Sequence, residues 1–511
     1  MLTEINNSLR TPFFHAKRNR EQAYTKGDAH SFSGHKIKGQ GHDSDGIYAE
    51  WSWDGDRLTV RNDRYGFYPL FYSRHENEIC VSNSIFRLLA EGASPEIDQT
   101  AMAVFLRLGY FIGEDTPFRS IRALPPDATL EWKDGDLTVS GRYAIRKPQY
   151  MARNAAVEHY VSLFRESIRR RIPPNDDFAV PLSGGRDSRH ILLELCEQGY
   201  RPKLCATVRR FPPVTGDDVR IAAQLAHAVK SDHVVIEQKA SRFQAESRKN
   251  IVTNFCADEH AWLLAVADDL KGKVRTVYDG IGGDVLSESG YLNKDRLDQF
   301  ESGSFEALAR SFFVYDKESM KQLVHHENRS MIDDEMAIHH LIDELKKHEN
   351  APNPVTSFVF WNRTRREIAL SPYGIFHQFP KVFSPFLDHE VYDFLSSLPP
   401  GIQLDKQFHS DAIRRAFPQY ADIPFEEKNA PAAESRKQYL RFRKDLALYV
   451  VSEKPLSLFR RSALMPDLLG PLVRRRLSPL VLYLFQLELL KEMASFPKNA
   501  PFSVLNGRLR S

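Results

Sequence analysis

Six consecutive residues, Ser183-Gly184-Gly185-Arg186-Asp187-Ser188, form the stretch best suited to chemistry on a phosphate chain. They lie between an apolar run, Phe178 to Leu182, and an amphipathic run, His190 to Glu197, which predicts a strand, a glycine turn and a helix. Gly184 and Gly185 remove the Cβ atoms that would keep a phosphate off the backbone, while exposed N–H groups and the positive helix end favour negative charge. Ser183 and Ser188 add hydroxyl donors, and Asp187 supplies a hard oxygen ligand for Mg²⁺. No lysine follows the glycines, so this is not the common ATPase loop G-x-x-x-x-G-K-S/T. The competing interpretation is a Gly-Gly turn without a ligand.

A second glycine-rich turn, Asp279-Gly280-Ile281-Gly282-Gly283-Asp284, follows the apolar run Val274 to Tyr278. If that run is a neighbouring strand, Asp187 and Asp284 hold Mg²⁺ against a triphosphate from both sides; alternatively Asp284 caps the next helix. Pro385-Phe386-Leu387-Asp388 leads into an amphipathic segment and reads as a helix start, with Asp388 near the N-cap. Lys428 sits in a loop without periodicity; a fixed cation is needed where charge develops, but a lone loop lysine is more often a surface residue.

The elements that must position these residues divide the chain in two. Residues 1 to about 45 are polar, with little periodicity, and are expected to be loop-rich. Ile47–Trp53, Arg57–Arg61, Leu70–Ser73 and Ile79–Ser82 alternate and predict an antiparallel meander. A hairpin is expected from Ala128–Trp132 and Leu137–Ser140 across Asp134-Gly135. After Pro148 the pattern changes to alternating strands and helices, the signature of parallel pairing, with ligands at the carboxyl ends of the strands. A helix is expected over Asp258 to Leu270, and from Lys294 onward the sequence reads as mostly helical.

Composition narrows the function classes. A net charge of +3 on 511 residues gives no reason to expect a nucleic-acid partner. Cys80, Cys196, Cys205 and Cys256 lack metal or redox spacing, which suits a reducing, cytoplasmic setting. The start of the chain does not resemble a signal peptide, and Leu477 to Leu490 is too short to span a bilayer, so no membrane partner is expected.

These segments together resemble the asparagine synthetase family, with its β-lactam synthetase and lasso-peptide cyclase relatives. Ser183 to Ser188 is similar to the PP-loop, S-G-G-x-D-S, whose owners cleave ATP between the α- and β-phosphates and transfer AMP to an acceptor. Asp217-Asp218 with Ala222, Leu225 and Ala226 is similar to the family's D-E-x-x-x-A-x-x-V-A helix, Gly280 to Asp284 resembles its G-E-G-A-D loop, and Pro385 to Asp388 repeats P-F-L-D. Asp63 to Tyr72 resembles the D-R-x-G-x-x-P-L-Y-Y of its first domain, and Lys428 falls where the family keeps a catalytic lysine.

The resemblance implies an α/β architecture. A truncated class II glutamine amidotransferase-like, Ntn-type α+β domain over residues 1–150 would precede a PP-loop ATP pyrophosphatase domain over 151–511, with a doubly wound parallel sheet and a helical C-terminal region. It implies ATP and Mg²⁺ as cofactors, with Ser183, Gly184, Gly185, Asp187, Ser188, Gly280 and Gly282 on the nucleotide and the adenine against the backbone near Val180 and Thr207. Asp187 and Asp284 would hold the metal and act in catalysis with Lys428. The implied activity is an AMP-forming C–N ligase that adenylates a small-molecule or peptide carboxylate and passes it to an amine; a homodimer is compatible with this.

Two departures modify that expectation. Position 2 is Leu2, where glutamine-hydrolysing members carry the nucleophilic cysteine, and the Asp63 motif comes early, so the front of the first domain is expected to be missing. Cys80, expected within a strand, cannot replace an N-terminal nucleophile, and no glutamine hydrolysis is expected. Ile281 stands where asparagine-forming members carry glutamate and β-lactam synthetases carry tyrosine, and an apolar side chain neither pairs with an amine nor takes its proton. A larger substrate bringing its own amine, as in macrolactam or β-lactam closure, therefore fits better than asparagine formation from free ammonia. A catalytically inactive nucleotide-binding or interaction protein is the alternative from another class. A PP-loop enzyme acting on tRNA would need a thiol pair or a basic stripe, which the sequence lacks.

Overall fold

The computed structural model describes residues 2–19, 22–37, 45–211, 217–315, 317–426, 436–452, 460, 468 and 479–494. Residues 1 to about 45 are not loop-rich. They carry a helix, α1 (Leu2–Leu9), and three strands, β1 (Phe13–Asn19), β2 (Gln22–Gly27) and β3 (His30–Ile37). Their side chains are largely polar because β2 and β3 are edge strands, β2 exposed along nearly its whole length and β3 on one face, which hides the alternation.

β4 (Asp45–Trp53), β5 (Arg57–Asn62), β6 (Phe71–His75) and β7 (Glu78–Ser82) match the expected runs, yet they do not form one meander. Two five-stranded antiparallel sheets, β2-β1-β7-β6-β8 and β10-β9-β5-β4-β3, share them, with β8 (Ile121–Ala123), β9 (Thr129–Lys133) and β10 (Asp136–Ser140) completing the set. The chain changes sheet at Asp63-Arg64-Tyr65-Gly66, where the buried Asp63 carboxylate accepts the N–H groups of Tyr48, Tyr65 and Gly66. Trp51, Leu58, Trp132, Ile79 and Val81 form the core between the sheets. The hairpin across Asp134 and Gly135 is present, both residues at positive φ as a tight β-turn of this kind requires. Two helices, α2 (Ile85–Ala90) and α3 (Gln99–Leu108), pack beside this sandwich.

After α4 (Arg153–Arg170) a third sheet begins, all parallel, in the order β13-β12-β11-β14-β15. Its strands are β11 (Phe178–Pro181), β12 (Leu204–Val208), β13 (His233–Ile236), β14 (Thr276–Tyr278) and β15 (Lys381–Phe383). The connecting helices are α5 (Asp187–Glu197), α6 (Asp217–Ala228), α7 (Arg242–Val252) and α8 (Leu263–Leu270). α8 starts later than expected, because His260, inside the expected range, takes a left-handed conformation that no helix accommodates. β15 was not foreseen: three residues at a sheet edge, inside an otherwise helical region, carry too little pattern.

The late helix Pro479–Ala494 buries Leu482, Tyr483, Leu487 and Leu490 in an apolar cluster shared by residues of both halves, among them Phe86 and Phe105 of the first and Phe243 and Ile251 of the second. Among the described residues no helix is long and apolar enough to cross a membrane.

His35, on β3, packs edge to face on Phe383 of β15, so it sits on the seam between the halves. Burial, with Arg171 and Lys381 nearby, pushes its imidazole down to about 3. The unfolded chain takes up a proton near pH 6.5 and the folded chain refuses it, so this contribution to stability falls as pH drops below 6.5. His35→Leu is expected to reduce the loss of stability between pH 7 and pH 5, followed by urea unfolding, by about 2 kcal/mol.

Candidate functional site

In strand order the first and fourth strands of the parallel sheet, β11 and β14, are neighbours, and β11 is flanked on its other side by β12. Connections leaving β11 and β14 therefore diverge and open a crevice at their carboxyl ends, the place where such sheets bind ligands. Ser183 to Ser188 follows β11, and Gly280 to Asp284 follows β14. The two glycine turns thus flank one crevice.

They also touch. A Cβ added to Gly280 would stand 2.7 Å from Asp187 Cβ, and one added to Gly283 would stand 2.6 Å from Asp187 Oδ1. The Asp187 side chain therefore occupies space left free by the missing side chains of the second turn. Asp284, directly after Gly283, is exposed in the first turn of a short helix, α9 (Gly283–Glu288). Its backbone lies beside the Asp187 carboxylate, since consecutive Cα atoms are about 3.8 Å apart. The second turn is held by the half-buried Asp279, whose Oδ1 accepts the Ile281 N–H at 2.8 Å; loss of solvent around this carboxyl pushes it up to about 6. Gly282 takes φ +90, a conformation that glycine tolerates.

α5 and α9 both begin without a side-chain cap, at Arg186 and Gly282. Open helix starts leave first-turn N–H groups for an anion. The earlier donors of the first turn are occupied within the protein, contrary to the expectation of exposed N–H groups. Gly184 N donates to Asp218 Oδ1 at 2.5 Å, Ser183 N to Ser188 Oγ at 3.0 Å, and the Ser183 and Ser188 hydroxyls lie 3.1 Å apart. Asp218 is the second acid of the Asp217-Asp218 pair, so that helix holds the loop in shape. A Cβ on Gly185 would meet only Ser183 Oγ, at 3.3 Å, which leaves an open approach to the backbone. Oxygen donors around such a cradle fit a magnesium-bound polyphosphate.

Val180 and Thr207 lie inside their strands. Val180 is fully buried beside Cys205, and Thr207 Oγ1 donates to Leu182 O at 2.7 Å. Lys428 lies outside the described residues. The described chain before it is nevertheless fixed on the site: Glu426 N donates to Gly184 O at 2.9 Å, and Arg189 Nη1 donates to Ile423 O at 2.8 Å. Phe425 stacks under the Arg189 guanidinium at 4.1 Å. Asp388 has a structural role: its carboxylate caps the helix His389–Ser397 and takes paired hydrogen bonds from Arg170.

Sequence reasoning missed a buried group behind Asp187. His409, on the helix Phe408–Ala416, places Nδ1 3.4 Å from Asp187 Oδ1 and 3.0 Å from Ser287 Oγ, with Nε2 3.1 Å from His190 Nδ1. Burial pushes His409 down to about 3 and holds His190 well below the usual imidazole range, so both rings are neutral near pH 7. Alongside, Glu288 accepts from Ser410 N at 3.0 Å and pairs with Arg186 Nε at 3.0 Å. These residues come from three separate helices and share no spacing. The only hint in the sequence was His190 and Arg186, polar residues flanking a motif.

Comparison with known proteins agrees with this arrangement. Residues 34–144 match the family model of the glutamine amidotransferase domain, and residues 159–366 match that of asparagine synthase. Among curated proteins the chain is 26% identical over 227 residues to Amidase chry2 of Gibberella zeae, covering 39% of this chain and 33% of that one. It is 25% identical over 151 residues to asparagine synthetase (glutamine-hydrolyzing) 3 of Bacillus subtilis, covering 29% of this chain and 25% of that one. The matches span a third or less of either relative's length. Among solved structures, an NMN synthetase from Francisella tularensis aligns at 13% identity and a TM-score of 0.19, over 42% of this chain and 93% of that one.

Proposed function

The chain belongs to the asparagine synthetase family, and on that premise we propose that it activates a substrate carboxylate with ATP, as the acyl-adenylate, and joins it to an amine. The observation that carries this reading is the Asp187 carboxylate lying against Gly280 and Gly283, which brings two acid-bearing turns to one crevice. Asp187 and Asp284 would hold Mg²⁺ between them, and the ion, when bound, neutralises charge on the phosphates. The Gly184-Gly185 turn and the open start of α5 bind and orient the polyphosphate. The substrate carboxylate then attacks the α-phosphorus, pyrophosphate leaves, and an amine displaces AMP to give the amide. Lys428 is assigned the stabilisation of charge that develops on the reacting groups.

The nitrogen source in this reading is the substrate itself. Ile281 is 5% exposed and apolar, with nothing to receive an amine proton at its position. Glutamine is an unsuitable source, because the buried Cys80 lies within β7 and burial, reinforced by Glu91, pushes its thiol up to about 12. A thiol kept protonated does not attack an amide. Intramolecular closure of a peptide or other metabolite carrying both acid and amine is the favoured reaction.

Exchange of radiolabelled pyrophosphate into ATP tests the reading. Across a panel of amino-acid and peptide carboxylates, at least one is expected to support exchange, and Asp187→Ala is expected to reduce it at least about 100-fold. Glutamine as the sole nitrogen source is expected to yield no glutamate. ATP binding without exchange for any carboxylate would overturn the ligase reading in favour of a nucleotide-binding protein.

A further inference from the structure

A second group of acids lies outside the nucleotide turns. Asp258 and Glu259 stand in the irregular stretch before α8, and Glu367 lies on a π-helical segment, Phe360–Ile368. One carboxylate oxygen from each lies within 4.8 Å of the others. Asp258 and Glu367 are buried, at 7% and 1% exposure.

The surroundings do not balance this charge. Arg363 Nη2 donates to Glu259 Oε2 at 2.9 Å, and its Nε approaches Glu367 Oε2 at 3.5 Å. Tyr315 donates its hydroxyl hydrogen to Asp258. Lys249, although near, is engaged by Glu246 at 3.1 Å, and His260 Nε2 stands 3.8 Å from Glu259 Oε2. Fully ionised, the three carboxylates and one guanidinium carry a formal charge of about −2, and holding the buried Asp258 and Glu367 in that form costs several kcal/mol.

Two polar atoms independently lack partners. Glu367 Oε1 has no hydrogen-bond donor, and neither has the hydroxyl of Tyr110, on a residue 2% exposed. Tyr110 forms a β-bridge with Ala257, the residue before Asp258, and its phenol feels the charges of Glu367 and Arg363. The neighbouring Gly109 lies so close that a Cβ there would stand 2.4 Å from Asp258 Oδ2. Tyr110 and Gly109 end α3 in the first half of the chain, so the group sits on the seam between the halves.

We propose that Asp258, Glu259 and Glu367 form a nucleotide-independent site for a divalent cation of the Mg²⁺, Mn²⁺ or Ca²⁺ class. All-oxygen donors select hard ions, and oxygens bound to one such ion at about 2.0–2.4 Å are separated by no more than about 4.8 Å. The double positive charge cancels the deficit, and water on the ion gives the Tyr110 hydroxyl a partner. The site does not depend on the ligase reading, since none of its residues belongs to the nucleotide turns.

Mn²⁺ titrated into nucleotide-free, full-length protein, with the free ion followed by electron paramagnetic resonance, tests the site. One tightly held Mn²⁺ per chain is expected, retained in Asp187→Asn and weakened at least tenfold in Glu367→Gln and in Asp258→Asn. Mn²⁺ is also expected to raise the melting temperature of the wild type but of neither acid variant. Absence of nucleotide-free binding by the wild type would overturn the proposal, leaving a proton shared between Asp258 and Glu367 as the balance. So would binding that is lost in Asp187→Asn, or that persists undiminished in both acid variants.

Discussion

Gly283→Ala is expected to lower kcat/KM for pyrophosphate exchange about 100-fold while leaving the fold intact, because its new methyl displaces the one side chain on which the proposed reaction turns. The Cβ would stand 2.6 Å from both Cγ and Oδ1 of Asp187 and 3.0 Å from Phe386 Cε2. The carboxylate is the movable part of that contact, so it gives way. A displacement near 1 Å is enough to cost about two orders of magnitude where a reaction depends on alignment. Stability is spared for a separate reason. Gly283 is the first residue of α9 and needs no left-handed conformation, and alanine favours a helix over glycine by up to about 1 kcal/mol. Gly290→Ala is the control, since an added Cβ there meets nothing within 4 Å. Unchanged exchange in Gly283→Ala would separate Asp187 from the chemistry and remove the main support for a shared metal.

This dependence was only partly legible in the sequence. The strand, glycine turn and helix around Ser183 to Ser188 were readable because periodicity changes abruptly at the glycines. The second turn was readable for the same reason, and the order of strands and helices implied that both turns share an edge. What holds Asp187 from behind was not readable. His409 is 222 positions from Asp187, on a helix whose exposed residues are mostly charged, and burial rather than sequence context makes it neutral. The acids of the second cluster were hidden similarly, because Asp258 and Glu259 were assigned to a helix that starts only at Leu263. The split of β4, β5, β6 and β7 between two sheets was hidden because alternation reports which face is buried, not which neighbour a strand pairs with.

Arg171→Met is expected to destabilise the protein by about 3–5 kcal/mol, the usual cost of removing one partner from a buried ion pair. Arg171 is 2% exposed. Its Nη2 donates to Asp45 Oδ2 at 2.5 Å and its Nη1 to Asp388 Oδ2 at 2.6 Å, while its carbonyl accepts the Tyr278 hydroxyl at 2.5 Å. Asp45 opens β4 in the first half of the chain, Asp388 caps a helix in the second, and Tyr278 ends β14, beside the crevice. One guanidinium thus joins the sandwich to the parallel sheet. Methionine fills much of the same volume, so the loss comes from stranding charge: Asp388 keeps Arg170, but Asp45 keeps the Gly46 N–H, at 2.6 Å, and His389, at 3.6 Å, with no guanidinium. Neutralising the stranded acid should therefore restore stability. Arg171→Met with Asp45→Asn is expected to recover more than half of the loss in urea unfolding, because an uncharged amide pays a smaller desolvation penalty than a carboxylate. Equal destabilisation of the single and double variants would mean that Arg171 acts by packing rather than by its charge.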